Sequence, residues 1–145
     1  MNSRSYMAPV GRVLLALIFV MSGINKLAHW SETASYMAAK GLPAVPLLLA
    51  VAVIIELACG VFVMIGYRTD VSALLLFLYL VPVTLVFHNF WSFHGMEAQM
   101  QMVNFLKNLS IMGGLLALAS ASPTHVSVDE VRARRHPPGA TPSRA

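Results

Sequence analysis

Residues 44–66 read AVPLLLAVAVIIELACGVFVMIG, an apolar run interrupted by one carboxylate, Glu56. It is close to the ~20 residues an α-helix needs to cross ~30 Å of hydrocarbon. It also lacks the polar face that a helix at the edge of a soluble core would keep. Three further stretches, 10–27, 71–93 and 102–121, match it in length and character. A chain inside a bilayer must satisfy its own backbone hydrogen bonds, so these segments are expected as helices. The predicted fold is an all-α membrane protein: a four-transmembrane-helix bundle in one domain over 10–121, preceded by a short cytoplasmic N-terminus, 1–9.

Composition agrees with this reading. Of the 145 residues 57% are hydrophobic and 11% charged, too apolar a chain for a soluble domain of this size to bury. The run 10–27 ends in Asn25, Lys26 and Leu27 without a small-residue cleavage pattern, so it is expected as a retained helix and not a signal peptide. Between the first two spans, Ser31 can cap a short interfacial helix through Lys40, with Gly41 as its left-handed stop and Pro43 beyond. Residues 67–70 leave room only for an antiparallel hairpin between the second and third spans. Pro82 should kink the third. Small residues, Ser22 with Gly23, Ala58 with Gly60, and Gly113 with Gly114 and Ala117, suit close helix approach.

The formal charge of +4 is not taken as a nucleic-acid footprint, because Arg132, Arg134, Arg135 and Arg144 all lie at the C-terminal end. Residues 122–145, rich in Pro, Arg, Ser and Thr and without apolar period, are expected to form a disordered, basic cytoplasmic tail. With four spans both termini share a side. Arg4, Arg12, Arg68 and the tail arginines place that side in the cytoplasm, with the chain multi-pass in the membrane.

Charged and strongly polar groups inside a span are costly and usually face the bundle with a partner or a function. Ser22, Asn25, Lys26 and His29 share one face of the first helix; Thr84, His88 and Trp91 do so on the third, and Asn104, Lys107 and Asn108 on the fourth. At 1.5 Å per residue Glu56 lies roughly 14–18 Å below the outer boundary, Lys107 about 8 Å and Lys26 about 6 Å, so either lysine could reach inward to it. These residues predict a polar pocket in the outer half of the bundle. Glu56 and His88 are its candidate proton-exchanging, catalytic residues, and Asn25, Lys26, Asn104, Lys107, Asn108 and Trp91 its candidate ligand-binding residues. A structural alternative stands beside each: an ion pair fixing helix order for Glu56, a helix cap for His88, interhelical hydrogen bonds for the asparagines.

Other chemistry finds little support. Cys59 is alone, which excludes an internal disulfide, a CxxC pair or a thiolate zinc site within one chain. No two histidines sit at matched depth for haem, and His88, His94 and Glu97 do not fall on one helical face, so no metal site is expected. Met96, Met100 and Met102 suit apolar filling better than copper binding.

The stretches GR at 11–12, SGINKL at 22–27, IELACG at 55–60 and GYRT at 66–69 resemble the DoxX family of small bacterial integral membrane proteins. FHNFW at 87–91, NFLKNL at 104–109 and GGLL at 113–116 are similar to the same family's pattern, so the resemblance runs from about residue 10 to 119. The family takes its name from a subunit of a thiosulfate:quinone oxidoreductase, and the resemblance carries over to Asn25, Lys26, Glu56, His88, Lys107 and Asn108. It implies a multi-pass protein of the bacterial inner membrane, a membrane subunit of a redox system, quinone- or sulfur-linked, without a redox cofactor of its own. A quinone would then be the borrowed cofactor, and a soluble or membrane redox protein, or further copies of the chain within the lipid bilayer, the partners. A proton or small-molecule carrier and a structural membrane scaffold are the alternatives.

Overall fold

The computed structural model describes residues 4–124 and 126–135, and every regular element among them is helical. Helix α1 spans Arg4–Ala28 and α2 Trp30–Ala39. Helix α3, Val45–Ile54, passes through a π-helical turn, Ile55–Cys59, into α4, Gly60–Ile65. Helix α5 is Thr69–Phe87, followed by a 3₁₀ turn at Phe90–Ser92, then α6, Gly95–Ser120, and α7, Val128–Arg135. Four of the described helical stretches are long and apolar enough to cross a membrane: Tyr6–Ala28, Val45–Ile65, Thr69–Ser92 and Gly95–Ser120. Their outer faces carry rows of exposed leucine, isoleucine, valine and methionine, far more apolar surface than a soluble monomer shows.

The spans differ from expectation chiefly at their ends. The fourth helix begins at Gly95, seven residues before 102, because Gly95 adopts a left-handed conformation (φ +60°) that lets the chain enter a helix from the extended His94. Helix α2 begins at Trp30, with His29 and not Ser31 at the capping position and no side-chain cap. Its end is as expected. Gly41 is left-handed (φ +75°), and the Leu42 and Gly41 amides bond back to the carbonyls of Met37 and Ala38, a Schellman closure. Helix α5 runs on through Pro82.

Two apolar clusters organise the bundle. Ala16, Phe19, Cys59, Val63, Ala73, Leu76, Leu80, Met112 and Leu115 fill the half nearer the chain termini. Met37, Leu49 and Val53, with Trp30, Leu42 and Phe87 against them, form a smaller cluster beneath α2. Helix α1 approaches the second span closely because Gly23 of α1 and Gly60 of α4 lie at their contact. A Cβ on Gly23 would lie 2.8 Å from the Leu57 side chain, and one on Gly60 2.9 Å from Val20. Gly114 packs against Leu15 in the same way, whereas Gly113 faces open space.

The tail departs most from expectation. Residue 125 and those from 136 on lie outside the described residues, but 126–135 pack against the end of the bundle where α1 begins and α6 ends. Asp129 accepts hydrogen bonds from the Arg68 and Thr69 amides at 2.8 and 2.9 Å and from the Thr69 hydroxyl at 3.0 Å, so it caps α5. Buried Arg12 donates to the Thr124 hydroxyl and to the Val126 carbonyl. The tail helix is itself started by Ser127 and Glu130. The Glu130 amide donates to the Ser127 hydroxyl, and the Glu130 carboxylate accepts from the Val126 amide. Asp129→Ala should therefore lower stability by about 1 kcal/mol. It should also speed limited proteolysis after Pro123, read by thermal unfolding in detergent and by mass mapping of the fragments. Unchanged cleavage would show that the cap does not hold the tail.

Candidate functional site

Glu56 sits in the π-helical turn at the middle of the second span and is 4% exposed. A carboxylate buried so deeply needs charge and hydrogen bonds around it. Lys26, from the last turn of α1, supplies the charge: its Nζ lies 3.0 Å from both Oε1 and Oε2 of Glu56. Helical side chains lean toward their own N-terminus, which carries the lysine stem down over Ser22 one turn earlier. Nζ donates to the Ser22 hydroxyl at 2.6 Å, and that hydroxyl lies 3.2 Å from Glu56 Oε1 as its donor. Tyr79 of α5 completes the cluster, donating its hydroxyl to Oε1 at 2.8 Å. Oε1 thus accepts three bonds and Oε2 one, and three spans are joined through one carboxylate.

The cluster borders a cavity of about 500 Å³ that lies between the two apolar clusters. Helix α2 roofs it through Thr33, Tyr36 and Met37, and apolar residues of α3 and α5 form most of its walls. Tyr36 stacks on Phe87 at 5.5 Å between ring centres. At the polar end the cavity touches Ser22, Asn25, Lys26, Glu56 and Tyr79. The Lys26 side chain remains 22% exposed while Glu56 is enclosed, so the ammonium is the more accessible member of the pair.

Asn25, Lys26, Glu56, His88 and Asn108, singled out in the sequence, all line this cavity. His88 lies just beyond the end of α5, with its Nδ1 2.9 Å from the Gln101 side-chain oxygen. Asn108 donates to the Thr84 hydroxyl at 3.0 Å, and that hydroxyl donates to the Leu80 carbonyl. Asn104 and Lys107 are placed elsewhere. They line a second, more open cavity on the α6 side, bordered also by His88 and Asn108, and Lys26 is the lysine that reaches Glu56. Trp91, 58% exposed, borders neither cavity and packs edge-on against Phe90 and Phe105.

Sequence reasoning passed over Tyr79 and Gln101. Tyr79 left a readable sign: a phenol in the middle of an aliphatic span needs an acceptor for its hydroxyl.

Removing either member of the ion pair leaves a buried charge without its counterpart. Glu56→Gln and Lys26→Met should each cost about 3–5 kcal/mol. The double substitution should cost less than the two single losses together. Unfolding in detergent over the four-way cycle measures the coupling; strictly additive losses would refute the pair as a stabilising unit.

Comparisons with known proteins agree with this architecture. The DoxX family model matches residues 8–89, more than half of the chain, and so covers α1 to α5 but not α6. Inner membrane protein YphA of Escherichia coli is 31% identical over 127 residues, covering 88% of this chain and 91% of that protein. Inner membrane protein YqjF of the same bacterium is 30% identical over 122 residues, 84% of this chain and 88% of that one. A Surfeit locus protein 4 homolog of Drosophila melanogaster is 28% identical over 129 residues, but these are only 41% of its length. No solved structure matches the chain. A four-span helical chain, matched by the family model and aligned nearly end to end with two bacterial inner membrane proteins, is a multi-pass inner membrane protein that belongs to the DoxX family.

Proposed function

We propose that this chain is a membrane subunit of a quinone-linked redox system, and that the cavity beside Glu56 takes the quinone headgroup. The observation that carries this reading is the Lys26–Glu56–Tyr79 cluster at one end of an otherwise apolar cavity of about 500 Å³. That size lies within the range of small-molecule sites, which pair apolar walls with a few placed polar groups. The Lys26 ammonium, the more exposed member of the pair, can stabilise negative charge that grows on a carbonyl oxygen, exchanging one of its three present bonds to donate to it. Glu56 Oε2, with a single donor, can accept a hydroxyl proton, and Tyr79 links the carboxylate to the cavity as a proton path. The quinone supplies two-electron chemistry, taking up two electrons and two protons on reduction. In this reading the electrons come from a partner protein.

Native mass spectrometry of the protein extracted gently from its own membranes, followed by identification of the released small molecules, tests the reading. A quinone should accompany the wild-type chain and be lost by at least about tenfold in Glu56→Gln, with Tyr79→Phe intermediate and folding retained in both. A ligand-free homo-oligomer would overturn the redox reading in favour of a carrier or scaffold.

A further inference from the structure

Helices α1 and α6 pack tightly along only part of their shared length. The two helices meet closely near the chain termini, where Leu15 packs on Gly114. One turn further along, Ile18 and Ile111 line the main cavity, and the same two residues line the second cavity of about 690 Å³. His88 and Asn108 are also common to both, so these four side chains stand between the main cavity and a more open one. The open side is bounded by residues on the outside of the bundle, Val103, Leu106, Lys107 and Ser110.

Lys107 is out of place for a lipid-facing residue. It lies near the middle of a span and makes no ion pair among the described residues. A cation there is costly unless something acidic or electron-rich comes to it. Its neighbours in the cavity wall include Asn104 and Asn108, whose amide groups each carry two N–H donors, one of Asn108's being given to Thr84, and no carboxylate borders the opening.

We infer that the α1–α6 gap is a side door from the bilayer, through which a lipid-soluble molecule with an anionic or carbonyl-bearing head passes Lys107 and the Ile18–Ile111 partition to reach Lys26. This rests on the reading of the main cavity as a ligand site, and it adds the route and the head-group chemistry. A ligand drawn from the hydrocarbon keeps its tail in lipid while its head exchanges one lysine for another.

Access can be measured without knowing the natural ligand. In a Cys59→Ala background, Val83→Cys places a thiol on the wall of the main cavity away from the gap. In proteoliposomes, maleimidoundecanoic acid, which partitions into lipid and carries a carboxylate, should alkylate that thiol, while a membrane-impermeant sulfonated maleimide should not. Ile111→Trp or Ile18→Trp, each checked by thermal unfolding, should slow the reaction on the order of tenfold by filling the gap. Lys107→Gln should cut the preference for the acid over its methyl ester about fivefold. Labelling by the sulfonated reagent at the same rate would show a cavity open to water and overturn the inference. So would a rate indifferent to both tryptophans, or no labelling by any reagent. Because the readout is alkylation, loss of the side door and loss of the quinone reading are separate results.

Discussion

The ion pair between Lys26 and Glu56 is the constraint around which the rest of the bundle is arranged. Neither charge could remain in hydrocarbon alone. Their meeting requires the last turn of α1 to lie against the middle of the second span, and Gly23 and Gly60 make that approach physically available. Once the carboxylate is fixed, Tyr79 ties α5 to the same point. The polar centre thereby sets which helices are neighbours and at what height, a task that apolar side chains do poorly where lipid is as apolar as they are.

The same centre divides the packing. Large aliphatic residues close the half of the bundle near the termini, and the smaller cluster under α2 closes the other. Between them the side chains do not meet, because the buried polar groups and the short residues that bring α1 close take the place of bulk. A cavity beside an ion pair follows from this geometry. The π-helical turn that carries Glu56 widens the helix at the same level, a distortion common where a helix serves a site.

Much of this was legible in the sequence. Span length and apolarity gave the four helices, and depth counting brought Lys26 within reach of Glu56. Depth counting could not choose between Lys26 and Lys107, since it fixes height and not rotation. The choice lies in the facing of α6, which turns Lys107 toward the gap, and the weak amphipathic signal of a lipid-embedded helix does not disclose that facing. The tail was misread for a different reason. Composition outweighed a local signal, the Ser127–Glu130 spacing, that marks a helix start. In the sequence Arg12 reads only as a topology marker, since its burial against Thr124 and Val126 depends on a partner more than a hundred residues away.

That long-range attachment has a consequence for the order in which the molecule is completed. The α4–α5 turn is made early in synthesis, yet the carboxylate that caps it belongs to Asp129, which leaves the ribosome only after the four spans described here have been made. Gly66 is left-handed (φ +71°), and a Cβ there would run into the Ser127 side chain, so the turn is shaped to receive a segment that is not yet present. The hairpin of the second and third spans therefore enters the bilayer unfinished at one end, and the C-terminal segment acts as the closing stitch of assembly. A tag fused directly after residue 124 would remove that stitch, whereas one placed beyond Arg135 would leave it in place.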